Sequence, residues 1–107
     1  MKSREFKDVM YNRIAKLIKA IASPYRLEII EMLSQGEKNV EEIGRITGIS
    51  FANTSQHLQV MKNNNIVKTR KEGHYVYYSI INDEFLALYQ HLIRFFEDEK
   101  VGLKNTI

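Results

Sequence analysis

The stretch from Val40 to Gln59 constrains the fold more than any other. Asn39-Val40-Glu41-Glu42 has the form of a capping box, in which a short polar side chain and a Glu three residues on satisfy each other's free backbone N–H groups. It opens a short helix containing Ile43 and Ile46, both expected to pack inward. Thr47-Gly48 breaks that helix, and Ile49 follows as an expected buried anchor. Ser50 caps a second helix that runs to about Asn63, with Thr54, Leu58 and Met61 on its inner face. The Asn63-Asn64-Asn65 run is expected to fray its end. Gly44 leaves room where the two helices approach. Two short helices joined by a tight Gly-containing turn form a helix-turn-helix, here spanning 40–63.

The flanking segments complete one domain. From about Ser3 to Ala20, Phe6, Val9, Met10, Ile14, Leu17, Ile18 and Ile21 recur at helical spacing, with Lys and Arg on the other face. Ser23-Pro24 restarts the chain as a cap and a first-turn proline. Leu27, Ile30, Met32 and Leu33 line the next helix, which Gly36 ends. After the helix-turn-helix the periodicity changes. Ile66 to Lys71 and His74 to Ile80 are rich in β-branched and aromatic residues, and Glu72-Gly73 sits between them as a tight turn, giving a β-hairpin. Asn82 or Asp83 caps a last helix over 82–99. Phe85, Leu88, Tyr89, Leu92, Ile93, Phe95 and Phe96 make it apolar over more than half its circumference. The order α-α-α-α-β-β-α predicts a mainly α chain with a hairpin (α+β), a winged helix-turn-helix whose wing is 66–80. At 107 residues it is a single domain, 1–107.

Composition narrows the function. The chain has no cysteine, which excludes disulfides, thiolate metal sites and thiol redox chemistry. No apolar run nears the roughly 18 residues that span a bilayer. The charged opening MKSREFKDVMYNR is not a secretory signal. A cytoplasmic protein without membrane association is expected. The sequence shows no phosphate-binding loop, dinucleotide fingerprint, HExxH, GxSxG or cysteine nucleophile, so no enzyme is indicated. Net charge is +3, unevenly spread. Residues 1–19 carry six Lys or Arg against two acids, residues 50–75 four against one, and residues 82–99 one against five. Two basic segments and an acidic one imply a side that faces a polyanion and a side that faces away.

The second helix of the pair carries the candidate chemistry. Ser50, Asn53, Ser55, Gln56 and Gln59 are short donors and acceptors able to reach base edges; Asn and Gln can pair bidentately with adenine. Phe51 either touches a thymine methyl or anchors the helix start. Lys62, Arg70, Lys71 and His74 are the candidate phosphate or minor-groove contacts, the last three from a basic wing tip beside the helix. The competing readings are a solvated polar helix and a wing that only solubilises.

The blocks AIASPYRLEIIEML, VEEIGRITGIS, NTSQHLQVMKNNNIV and TRKEGHYVYYSI resemble the ArsR/SmtB family of winged-helix repressors. Ser50 to Leu58 is the most specific part, and the resemblance covers nearly the whole chain. Within the family it is most similar to the regulator domain of rhodanese fusions, whether as a stand-alone relative or as a fragment. The resemblance implies a homodimeric DNA-binding repressor that reads an inverted repeat of double-stranded DNA. The family's first and last helices form its dimer interface, here Phe6, Met10, Ile14, Leu17, Phe85, Leu88, Tyr89, Leu92 and Phe96. The alternative is a winged-helix dimerisation or interaction module of a larger protein, without its own DNA binding.

The family's metal-sensing sites are not reproduced. Its thiolate site falls on Val40-Glu41-Glu42-Ile43, and its last-helix site falls near Asn82, Glu84, Phe95 and Asp98. Even with His91 these make no tetrahedral set. No metal or cofactor is expected; a small-molecule inducer is left open. His57, on the inner side of its helix, reads as a satisfied structural histidine.

Overall fold

Caps and turns divide the chain where the sequence places them, with a few displacements. The computed structural model describes residues 3–97. Helix α1 (Ser3–Ile21) is followed by Ser23, which caps α2 (Pro24–Leu33) by accepting the Arg26 N–H at 3.4 Å. Leu27 stays exposed, and Ile29, Ile30, Met32 and Leu33 take the inner positions. A two-residue strand, β1 (Lys38–Asn39), leads into α3 (Val40–Thr47). Both halves of the capping box form: Glu42 N–H donates to Asn39 Oδ1 at 2.9 Å and Asn39 N–H donates to Glu42 Oε1 at 3.0 Å.

Helix α4 (Phe51–Asn63) packs across α3. Gly48 takes the left-handed conformation, φ 75°, that ends α3 and lets its N–H donate to the Gly44 carbonyl. A Cβ on Gly44 would stand 3.3 Å from the Ile49 carbonyl oxygen and 3.5 Å from Thr54 Oγ1, so glycine there sets how closely the helices approach. Two expectations fail at this junction. Ile46 is 54% exposed and Ile49 only half-buried. In a helix of eight residues the inward stripe runs Val40, Ile43, Gly44, Thr47, and Ile46 falls off it. The Asn run does not fray. Asn64 Nδ2 donates to the Val60 carbonyl at 2.8 Å, and Asn65 takes φ 57°, turning the chain so that Ile66 N–H reaches the Met61 carbonyl.

The wing is β2 (Val67–Glu72) and β3 (Tyr75–Ile80), antiparallel, with Val67 opposite Ile80 and Glu72 opposite Tyr75. Its turn is therefore Gly73-His74, one residue later than Glu72-Gly73. Gly73 has φ 60° and His74 is not at positive φ, the pattern of a II′ turn. A turn centred on Glu72-Gly73 would need Glu72 at positive φ, which glycine accepts far more readily. β1 pairs with β3, giving a three-stranded sheet in the order β1-β3-β2. At two residues, β1 is too short for periodicity to reveal.

Asn82 caps α5 (Asp83–Glu97), its Oδ1 accepting the Phe85 N–H at 2.8 Å. Residues 98–99 of the expected last helix, Asp98 included, lie outside the described residues. The core joins Ile29, Ile30, Ile43, Leu58, Met61, Ile66 and Val67, and α5 closes it with Phe85 and Tyr89. Those two were expected at a dimer interface; instead they are buried within the chain, with Tyr89 Oη donating to the Leu27 carbonyl at 3.4 Å. Leu17 also packs partly against the core. The cause is geometric: a helix apolar over more than half its circumference has one stripe to spend inside and one left over.

Candidate nucleic-acid interface

The inner face of α4 fixes the outer one. Thr54, Leu58 and Met61 are buried, so the helix cannot rotate without unpacking; Thr54 Oγ1 is satisfied within the helix's first turn, donating to the Ser50 carbonyl at 2.8 Å. Asn53, Gln56, Gln59 and Lys62 are then held on the solvent side, with Ser55 half-buried at its margin. Ser50 is exposed, but its Oγ is already engaged as the cap, accepting Asn53 N–H at 3.2 Å. Gln59 Nε2 donates to Asn63 Oδ1 at 2.8 Å, which pre-orients an amide on the exposed face. Phe51 is 62% exposed and anchors nothing.

The wing presents Lys68, Lys71 and His74 to solvent. Arg70 is held differently. Its Nη2 meets Glu37 Oε1 at 2.5 Å, its Nε meets Glu37 Oε2 at 3.2 Å, and its Nη1 meets Glu72 Oε2 at 2.6 Å. The guanidinium also lies 4.9 Å from the Tyr77 ring centre, opposite it in the strand register. The hydrogen bond from Arg70 keeps the Glu37 carboxyl below its usual pKa. Arg70 thus arrives paired to two carboxylates, whereas Lys68 and Lys71 have no ion pair among the described residues. No sequence signal links Glu37 to a residue 33 positions later. Tyr75 and Tyr77 pack against one another on this outer face, while Tyr78 points to the core.

His57 lies on the flank of α4 toward α2. Arg26 Nε donates to its Nδ1 at 3.1 Å, Arg26 Nη1 donates to the Ala20 carbonyl at 3.1 Å, and the Tyr25 ring centre is 5.8 Å away. Burial, and then the Arg26 charge, hold the His57 pKa below its ordinary value. Among the described residues no group of three or more His, Asp or Glu could hold a metal ion, and no helix is long and apolar enough to cross a membrane.

α1 and α5 each also carry an exposed apolar face. Phe6, Met10, Ile14, Leu88, Leu92 and Phe96 are exposed, Phe6 by 57% and Phe96 by 53%.

A profile of "Bacterial regulatory protein, arsR family" matches residues 23–69. The HTH-type transcriptional regulator Rv0324 of Mycobacterium tuberculosis is 34% identical over 96 residues, which are 90% of this chain and 42% of that protein. The chain thus spans about two-fifths of Rv0324. The transcriptional activator HlyU of Vibrio cholerae is 35% identical over 80 residues, 75% of this chain and 74% of that one. The solution structure of a homodimeric winged helix-turn-helix DNA-binding domain from Mycobacterium bovis superposes with a TM-score of 0.80 at 33% identity, covering 92% of this chain and 89% of that chain.

Proposed function

The chain belongs to the arsR family of bacterial regulatory proteins, and from that premise we propose that it is a homodimeric, sequence-specific DNA-binding transcriptional regulator, a repressor released by a signal still to be identified. It acts in the cytoplasm and catalyses no reaction. The observation that carries this reading is the outward row Asn53, Gln56, Gln59 on a helix locked from behind, with the free cations Lys68 and Lys71 on the wing beside it. Gln56 and Asn53 read base edges in the major groove, with Ser55 and Gln59 beside them, and Phe51 contacts a thymine methyl. Lys62, Lys68, Lys71 and His74 contact phosphates or the minor groove. Arg70 reaches DNA only by leaving Glu37 and Glu72, so it contributes less than its charge implies.

The exposed apolar stripe of α1 and α5 supports a two-fold interface built from Phe6, Met10, Ile14, Leu88, Leu92 and Phe96. Such a dimer reads an inverted repeat, its two α4 helices in successive major grooves. The finer likeness, to the regulator part of rhodanese fusions, belongs to this proposal and rests on the blocks AIASPYRLEIIEML, NTSQHLQVM and EGHYVYYSI. A small-molecule inducer is compatible with it.

The test is a salt titration of binding to duplexes that the protein selects from a random pool, against a scrambled competitor. The expected result is tight binding to an inverted repeat and much weaker binding to the scramble. Equal affinity for both would reduce the site to a basic surface. Gln56→Ala should cost about 1–3 kcal/mol of discrimination at one base pair. Glu37→Gln, which loosens the hold on Arg70, should steepen the log–log salt slope by up to about one unit.

A further inference from the structure

Arg26 occupies the junction where α1, α2 and α4 meet. It sits in the first turn of α2 and reaches two ways: to the Ala20 carbonyl at the end of α1, and to His57 Nδ1 on α4. Resting on the DNA-binding reading above, we propose that Arg26 is a positioning residue for recognition, fixing the seat of α4 against the α1–α2 junction through neutral His57, so that protonation of His57 shifts α4 slightly within its packing and weakens specific binding.

The geometry makes this bond one-way. A guanidinium has five donors and no acceptor, and it stays charged throughout the accessible pH range. His57 can receive Arg26 Nε–H only through an unprotonated Nδ1, which places its single proton on Nε2. Protonating Nδ1 removes the acceptor and sets two cations at hydrogen-bond distance. Burial then penalises the charged ring further. Tyr25, also on α2, is the other titratable group against the ring. α1, α3 and β2 pack on α4 as well, and of the charged groups on all these elements Arg26 is the one that bears on His57 among the described residues. His57 lies one residue from Gln56 and one turn from Asn53, so a shift of this anchor moves the reading face itself.

The direction of the effect separates this coupling from ordinary electrostatics. Acidification only adds positive charge to a protein surface and strengthens its attraction to phosphate, so a passive site binds DNA more tightly in acid. The proposal requires the reverse. The full chain would be titrated with its own selected duplex from pH 8 to pH 5 at constant ionic strength. The expected result is a specific affinity that falls by up to about tenfold per pH unit once His57 begins to protonate. His57→Gln, a non-titrating acceptor for Arg26, should keep its affinity in acid. Arg26→Met should bind weakly at every pH while retaining its helical circular dichroism. Without DNA, the amide resonances of Asn53 and Gln56 should titrate together with the His57 ring in the wild type and stay still in His57→Gln. Acid-strengthened binding in the wild type, or amides that ignore the ring, would overturn the role of Arg26. A wild type that selects no duplex would sink the DNA-binding reading instead, and the DNA-free titration would still decide whether the Arg26–His57 bond positions α4.

Discussion

Leu58 on α4 and Leu92 on α5 each sit in the middle of an apolar helical stripe, yet Leu58 is fully buried and Leu92 is 39% exposed. The contrast extends to the elements around them. α2, α3 and α4 are each capped by the residue that precedes them, fill their shared interior with Ile29, Ile30, Ile43 and Met61, and leave no buried side-chain polar atom without a partner among the described residues. α1 and α5 touch the core through Ala20, Leu17, Phe85 and Tyr89, and otherwise carry their aromatic and aliphatic residues into solvent. Hydrophobic spacing marks a face that will be covered; it does not say whether the cover comes from the same chain. Under the proposed function, a unit that the chain completes serves recognition and an outer pair that it leaves open serves assembly.

The sharpest way to break that division is to empty the completed unit. Leu58→Ala should cost about 2–5 kcal/mol, measured by denaturant unfolding, and the loss should be the same at every protein concentration. On the open pair the outcome should depend on concentration. Phe6→Ala removes about 1.5–3 kcal/mol of apolar burial per protomer if the stripe is an interface. It should move the monomer–dimer equilibrium in sedimentation and leave the fold intact, and a dimer unchanged by Phe6→Ala together with Phe96→Ala would remove this stripe from the interface. Smaller still, Asn39→Ala should cost about 1 kcal/mol through loss of the cap on α3, again without concentration dependence. The smallest effect is acid. His57 titrates below 6.5 when folded, so between those values the unfolded chain binds the proton that the folded chain refuses. Stability from this group is complete above pH 6.5 and declines as pH falls toward the lower folded value, and His57→Gln should flatten that part of the profile.

The same contrast explains what the sequence makes legible. The caps at Ser23, Asn39 and Ser50 and the break at Gly48 are local chemistry, and each forms as read; the hairpin turn also forms, one residue later than read. The inner row Thr54, Leu58, Met61 follows from 3.6-residue spacing, and with it the outward row that carries the proposed readout. Features set by distant partners are invisible. Arg70 reads as a free wing cation because Glu37 lies in another loop, and Arg26 carries no signal of the histidine 31 residues away. Phe85 and Tyr89 read as interface because periodicity cannot divide a broad stripe into the part that faces the chain's own core and the part that faces out. Ile46 misleads for the opposite reason: in two turns of helix the stripe is too narrow to include every apolar residue.

Among the described residues, the sheet order β1-β3-β2 leaves β2 with one unpaired flank, where alternate residues of its six turn backbone donors and acceptors outward to any extended segment that meets them. An exposed edge of that length invites strand addition and, with it, aggregation. Here the edge reads Val-Lys-Thr-Arg-Lys-Glu, and a second copy docking on it would crowd cation upon cation. The charge of the wing therefore has a consequence apart from any partner: it disfavours edge-to-edge pairing between copies of the chain.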